Sequence, residues 1–421
     1  MSNQTKQWGA IIIMIALFAM IAFVTNLCTP MATIIKNQGE ISNVLAQIGN
    51  YGNFIAYLVM GIPAGMLIAK YGYKKTALIG LLVGITGILI QWYSGQLDAQ
   101  ANLGLVFGVY LVGALITGLC MCILNCVVNP MLNLLGGGGN KGNQLIQIGG
   151  VFNSSAAVAC YILMGALIAD ASKAKIADAT PALMIALAIF VIAFVIILFT
   201  KIEEPEQAPV QLDLIKGAMS HKHFALGTLG IFLYMGIEVG VPNFVQQYLI
   251  EERNIPAATV GMLVAVYWFM MLIGRFVGAS IGDKVSSRAM ITTVSCATMV
   301  LVLFGMFAPT DVLVSFPGVD WGKLKMIWQP VPVGIFSFLL VGLCTSVMWG
   351  AIFNMAVEGL GKYTAIASGI FMTMVFGCAV MMFIQATVAD MTDYITSFWV
   401  VVFCAAYLLY YAQVGSKIAK K

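Results

Sequence analysis

The chain has 421 residues, 61% of them hydrophobic and only 9% charged, with a formal net charge of +4 and a mean hydropathy of +0.96. Water-soluble chains carry about 25% charged residues, so this composition excludes a secreted domain, a cytosolic enzyme and a nucleic-acid binder and makes lipid the main solvent. The small positive balance fits basic loops on one side of a membrane and requires no nucleic acid.

Only helices and closed barrels satisfy their own backbone in lipid, and the apolar runs are far longer than barrel strands, so they are read as helices. The apolar content supplies about twelve spans of about 20 residues each. In chain order these are 9–35, 43–69, 76–95, 102–132, 144–169, 181–200, 223–249, 258–282, 289–308, 331–357, 364–389 and 394–414. The first run is too long for a secretory signal and has no cleavage site before a polar region. Span one carries Asn26 four residues before Pro30; span four carries Asn125, Asn129 and Pro130; span five carries Gln144, Gln147 and Asn153. A polar segment from Lys201 to His223 follows span six and divides the chain into residues 1–200, a cytoplasmic linker 201–222 and residues 223–421. Span seven carries Glu238, Pro242, Asn243, Gln246 and Gln247; span eight carries Arg275 and ends at Asp283; span ten carries Trp349. His221 and His223 read as solvated loop residues, and the Gly136 to Gly139 run as a flexible turn with no phosphate-binding Lys-Ser/Thr after it. All nine Cys fall inside apolar runs and read as packing residues, with no metal site implied.

With the N-terminus placed in the cytoplasm, 14 Lys and Arg lie in cytoplasmic loops and tails, 6 on the opposite side, and Arg275 inside a span. The excess of basic residues marks the cytoplasmic side and puts both termini there. Gly118-Leu119-Cys120 in span four recurs as Gly342-Leu343-Cys344 in span ten, which sets Asn125 opposite Trp349. Asn26 and Pro30 recur as Glu238 and Pro242, and spans two and eight both end in Gly and basic residues. Together these words predict a duplicated six-helix unit.

A polar side chain in lipid is costly and needs a partner or an aqueous cavity. Glu238 sits near the middle of its span, with Asn243, Gln246 and Gln247 extending a polar stripe, and is read as a cavity-lining carboxylate for sugar hydroxyls, a proton or a cation. The alternative is a helix-packing glutamate. Amides both donate and accept, which suits a neutral polyol, so Asn26, Asn125, Gln147, Asn153, Asn243 and Gln246 are candidate ligands; interhelical hydrogen bonding is the alternative for Asn125 and Asn153. For Asn129 the structural reading leads, because Pro130 frees a backbone carbonyl that an amide can satisfy. Trp349 is assigned to stacking on the C–H face of a sugar ring. Arg275 with Asp283, and with Glu358 nearby, reads as a gating latch toward the cytoplasmic ends of spans eight and ten. No nucleophile is paired with a base, which argues against an enzyme.

Several words are more specific: Asn-Pro-Met-Leu-Asn-Leu-Leu-Gly (129–136), Phe152-Asn153-Ser154, Tyr234-Met-Gly-Ile-Glu238, Ile273-Gly274-Arg275-Phe276 and Lys362-Tyr363-Thr-Ala-Ile-Ala-Ser368. They resemble the L-fucose/proton symporter family of the major facilitator superfamily, including its glucose/galactose branch, across nearly the whole chain. The resemblance implies an all-α fold of twelve transmembrane helices in two pseudo-symmetric bundles, in the inner membrane, functional as a monomer and without a cofactor. It implies transport of a neutral monosaccharide, with a proton or, in some relatives, sodium. Asn153 matches the family's sugar-contacting asparagine, Asn26 falls in its span-one motif, and Glu238 matches a glutamate of the glucose/galactose branch. Two family carboxylates are replaced, by Thr29 in span one and Asn125 in span four. Neither replacement titrates in the physiological range, which leaves Glu238 as the coupling residue if transport is coupled; an uncoupled uniporter or a facilitator for another small polar solute is the alternative, and a non-transporting receptor the reading from a different class.

Overall fold

The computed structural model describes residues 8–36, 38, 41–98, 101–136, 139–167, 174–202, 204, 213–281, 285–320, 325–360 and 363–417. Among these, 11 helices are long and apolar enough to cross a bilayer. One of them, the 47-residue Ile48–Ser94, breaks at Gly72 (φ 80°, ψ 174°) and so supplies two spans. The twelve spans are α1 (Trp8–Asn26 and Cys28–Lys36), α2 and α3 (Ile48–Ser94 before and after Gly72), α4 (Leu103–Leu135), α5 (Gly139–Leu167), α6 (Thr180–Phe199), α7 (Lys222–Glu251), α8 (Ala257–Ile281), α9 (Ser287–Phe307), α10 (Gly334–Val357), α11 (Thr364–Met374 and Gly377–Met391) and α12 (Trp399–Tyr410, continuing as Tyr411–Gly415). They form two pseudo-symmetric six-helix bundles, which meet where α1 and α2 face α7 and α11, and along a seam between α5 and α8.

The break at Gly72 shows how polar loop residues hold the spans. Its left-handed φ suits a glycine, and a side chain there would collide with the Glu204 carboxylate. That carboxylate instead accepts from the Tyr73 and Lys74 backbone N–H groups, at 2.6 and 2.9 Å. It thereby satisfies donors that the start of α3 leaves open. In return the Lys74 ammonium donates to the Leu198 and Thr200 carbonyls at the end of α6. Basic residues after α2 therefore close a helix end as well as marking a membrane side.

The repeated glycine words have a packing cause. A Cβ on Gly118 of α4 would lie 2.2 Å from the Asn53 carbonyl oxygen of α2, and one on Gly342 of α10 would lie 2.1 Å from the Tyr267 carbonyl oxygen of α8. The same glycine in each repeat lets the fourth span of its bundle touch the backbone of the second.

The repeated prolines have another. Pro30 and Pro242 lack the N–H that would bond the carbonyl four residues earlier, which frees the carbonyls of Asn26 and Glu238. At Asn26 the helix breaks, and the Asn26 amide donates to the Ala22 carbonyl at 2.8 Å. At Glu238 the helix continues, and the Tyr267 hydroxyl donates to the freed carbonyl at 3.0 Å.

Two elements depart from expectation. An antiparallel hairpin, β1 (Leu313–Asp320) with β2 (Lys325–Pro332), joins α9 to α10. Its Gly318 lies against Thr259 of α8 and its Phe316 against Phe336 of α10. His223 is not a solvated loop residue: it opens α7, is buried, and its Nε2 lies 2.9 Å from the Glu358 carbonyl. The nine cysteines are free thiols, eight of them buried and Cys296 exposed on α9.

Replacing Gly118 or Gly342 with Val is expected to cost at least about 1–3 kcal/mol, because the added carbons meet backbone that cannot rotate away. Loss of the monodisperse peak after mild heating in detergent, compared with Gly108→Val on the open face of α4, where a Cβ meets nothing within 4 Å, measures it.

Candidate functional site

The polar side chains of the bundle interior fall into two layers. The first lies halfway along the spans. On the second bundle it comprises Glu238 and Tyr234 of α7, Tyr267 and Arg275 of α8, and Thr345 and Trp349 of α10. The Tyr267 hydroxyl meets Thr345 Oγ1 at 3.2 Å, and the Tyr234 and Trp349 rings lie 6.2 Å apart. The Arg275 charge and the Tyr234 hydroxyl are close enough to act electrostatically on the Glu238 carboxyl, without an ion pair between Arg275 and Glu238. On the first bundle the Asn125 amide donates to the Tyr57 hydroxyl at 2.9 Å, and the Asn153 amide to the Phe18 carbonyl at 2.9 Å. Asn129 spends its amide on the Asn125 carbonyl at 3.1 Å, next to the Cys126 carbonyl that Pro130 leaves free. The Arg275 guanidinium crosses between bundles to the Gly150 carbonyl of α5.

The second layer lies nearer the end of the molecule that holds the α1–α2 connection, away from the chain termini. Here the first and second bundles are joined by neutral amides. The Gln47 amide donates to Asn243 Oδ1 at 2.8 Å and the Asn243 amide returns to Gln47 Oε1 at 3.1 Å, a two-way bond between α2's approach and α7. Asn50 adds to Gln47 at 2.6 Å, Gln247 adds to Asn243, and Asn243 also reaches Thr29 at 3.3 Å. Gln246 meets Thr33 at 3.5 Å.

Beyond the amides, at the end of the bundle, lies a charged cap. Lys36 pairs with Glu251 and donates to the Tyr394 hydroxyl at 2.7 Å and to Asn43 Oδ1 at 2.5 Å. Burial, and next the Glu251 charge, hold the Tyr394 phenol well above its usual range, so it stays a donor. Asp390 of α11 accepts from the Asn43 and Val44 backbone N–H groups at 2.7 and 3.0 Å, capping the turn that opens α2 from the opposite bundle.

This end is therefore closed. Asn26, Gln47, Asn243, Gln246 and Gln247 are buried, whereas Asn125, Asn153, Glu238, Arg275 and Trp349 keep partial exposure. Open space lies beside Gly350, and Asn354, one turn further along α10, is exposed. A cavity at the level of Thr33 and Gln246, lined also by Pro30, Tyr161 and Ile250 among others, measures about 20 Å³. That is room for about one water, far below the ligand pockets of about 300 Å³ and more.

The residues singled out in the sequence are thus divided. Trp349 packs against Tyr234 one turn from Glu238, Asn125 and Asn153 bond within the first bundle to Tyr57 and Phe18, and Asn243 and Gln246 belong to the closed layer. Asn26 is turned into its own helix. The Gln147 side chain and Asp283 lie outside the described residues, and Glu358, expected near Arg275, is exposed and engages His223 through its carbonyl. Arg275 reaches the Gly150 carbonyl instead, because it lies two turns before the end of α8. Lys36, Glu251, Asp390 and Tyr394 were missed: charged groups at span ends read as solvated. Gln47, Asn50 and Asn53, three residues apart in an apolar run, were a legible signal.

Two six-helix bundles with a polar layer between them, closed at one end, define a multi-pass membrane transporter of the alternating-access kind. The Major Facilitator Superfamily profile matches residues 10–384, and the chain belongs to that superfamily. It is similar to a glucose/galactose transporter of Brucella abortus (strain 9-941), 27% identical over 99% of this chain and 96% of that one. It is also similar to an L-fucose-proton symporter of Escherichia coli (strain K12), 20% identical over 96% of this chain and 92% of that one. Among solved structures, the transporter FucP in an outward conformation superposes with a TM-score of 0.69 at 19% identity, covering 97% of this chain and 98% of that one.

Removing Lys36 leaves Glu251 without its cation in a site where the two side chains are 22% and 21% exposed. This costs more than the ~0.5 kcal/mol of an exposed pair and less than the ~3–5 kcal/mol of a buried one. Lys36→Ala is expected to raise labelling of Gln246→Cys by a membrane-impermeant maleimide several-fold, read on intact vesicles from the closed end.

Proposed function

We propose that this chain moves a neutral monosaccharide across the inner membrane by alternating access, as a monomer with both termini in the cytoplasm. The two bundles, residues 1–200 and 223–421 joined by the linker 201–222, rock about the half-way layer. The observation that carries this reading is that layer itself: amides on one bundle and Glu238, Tyr234 and Trp349 on the other, with Asn125, Asn153, Glu238 and Trp349 partly exposed while the amide layer beyond them is buried. Amides offer a sugar hydroxyl both a donor and an acceptor, and the Trp349 face suits its C–H surface. The names of the similar proteins, glucose/galactose transporter and L-fucose-proton symporter, agree with this chemistry. Asn125, Asn153, Glu238 and Trp349 are the sugar-facing set, with Gln246 and Asn243 joining when the closed layer parts.

Coupling, in this reading, runs through Glu238. A carboxylate in low dielectric needs a counter-charge, and the Arg275 charge, acting on Glu238 through space, is the nearest source of one. A proton or sodium ion arriving at Glu238 frees Arg275 to hold the Gly150 carbonyl alone, which ties the charge of the site to the contact between bundles. The uncoupled alternative has its own support: Thr29 and Asn125 stand where family members carry carboxylates, and both are engaged with neutral partners, Asn243 and Tyr57.

Uptake into proteoliposomes against a panel of monosaccharides, with imposed proton or sodium gradients, tests both parts. The expected result is gradient-driven accumulation of a hexose, abolished in Glu238→Gln, while that variant still exchanges labelled for unlabelled sugar. Equal uptake by both proteins under every gradient would leave uniport, and failure of every monosaccharide to move would overturn the sugar assignment. Trp349→Ala is expected to raise KM about 2- to 10-fold, for loss of a stacking contact of ~0.5–1.5 kcal/mol, measured in the same vesicles.

A further inference from the structure

Buried polar atoms are nearly always hydrogen-bonded, so those that are not mark places where a partner is missing. Three such atoms lie along the seam between α5 and α8: Ser154 Oγ, the Tyr161 hydroxyl and the Trp268 indole N–H. The residues carrying them are 0%, 1% and 5% exposed. Ser154 and Tyr161 are two turns apart on α5, hence on one face. Trp268 is two turns from Arg275 on α8. The two helices run antiparallel, with Arg275 at Gly150 and the Tyr161 and Trp268 rings stacked at 6.4 Å and 23°.

Glycines hold this seam tight at its closed end. A Cβ on Gly261 would lie 2.6 Å from the Tyr161 carbonyl oxygen, and one on Gly165 would lie 3.0 Å from Ala258 Cα. Tyr161 also lines the 20 Å³ cavity with Thr33 and Gln246, whose mutual bond is at the 3.5 Å limit. Thr29 and Trp268 are the polar neighbours of the Tyr161 hydroxyl, neither at hydrogen-bonding geometry. The polar residues lining this space are Thr33, Tyr161 and Gln246, and the Trp268 indole lies beside Tyr161 in the seam. None is charged, which fits neither a metal ion nor an anion. An indole N–H can only donate, and a tyrosine hydroxyl both donates and accepts. A neutral polyol answers that set.

We propose that Tyr161 and Trp268 form an outer sugar subsite, one layer nearer the closed end than Glu238, with the Tyr161 hydroxyl and the Trp268 N–H bonding sugar hydroxyls once the seam and the amide layer part. The subsite rests on the sugar reading above. It explains why aromatic rings with polar tips occupy a seam that must open: their unmade bonds are completed by the cargo when the cavity widens.

Tyr161→Phe and Trp268→Phe, each keeping a ring, are to be assayed for KM and kcat in proteoliposomes with the transported hexose and its series of monodeoxy analogues. The expected result is a KM raised about 3- to 10-fold for the parent sugar, as loss of one neutral hydrogen bond gives. For one deoxy analogue per variant, KM is expected to match that of the wild type, because the hydroxyl that met the missing group is itself absent. Unchanged KM in both variants, or an equal rise for every analogue as a purely structural role would give, overturns the subsite and leaves the sugar reading intact. A wild-type protein that moves none of the sugars overturns the sugar reading and the subsite with it.

Discussion

Lipid offers no hydrogen bonds, so each polar group that enters the bundle must be answered from within the chain. Most of the architecture follows from how that is done. Pro242 frees a carbonyl in the middle of α7, and the Tyr267 hydroxyl of α8 closes it. The break at Gly72 leaves backbone donors open, and Glu204 takes them while Lys74 serves the end of α6. Each solution ties one span to another, so satisfying the backbone and assembling the bundle are the same event.

The same constraint shapes the closed end. Its inner layer, Gln47, Asn50, Asn243 and Gln247, is neutral, and its outer cap, Lys36 with Glu251, Asn43 and Tyr394, is charged. Contacts that part in each cycle must have their groups solvated afterwards, and an amide released inside the bundle loses far less than a charge would. Ions are kept where bulk water is at hand. Glu238 is the exception at half height, and the Arg275 charge acts on it from a distance. That influence makes the carboxylate less costly, while Arg275 itself holds Gly150 of α5.

Much of this could be read from the residues alone. The spans, the duplicated unit and the isolated carboxylate Glu238 all announce themselves, because composition and run length report directly on lipid, and a charge among apolar residues stands out. Gly118 and Gly342 were visible as a repeated word, though their purpose, backbone contact with Asn53 and Tyr267, was not. The cap at Lys36 was hidden because its members are 215 and 358 residues apart in the chain, and charged residues at span ends are ordinary. The hairpin at Leu313–Asp320 and Lys325–Pro332 was passed over because helix-length apolar runs on either side dominated the pattern.

The sequence by itself determined that the chain lives in a membrane, that it crosses it about twelve times, that it was built twice from one unit and that one carboxylate lies within. These properties depend on composition and local order, which need no third dimension. Only the tertiary structure decided which polar groups face one another: that Arg275 serves Gly150 and not Glu358, that Asn243 and Gln246 lock one end while Glu238 and Trp349 stay partly exposed, and that Tyr161 and Trp268 lie stacked with their polar tips short of a hydrogen-bonded partner. A hydrogen bond is a matter of a few ångströms between spans remote in the chain. No pattern along one strand of sequence carries that distance.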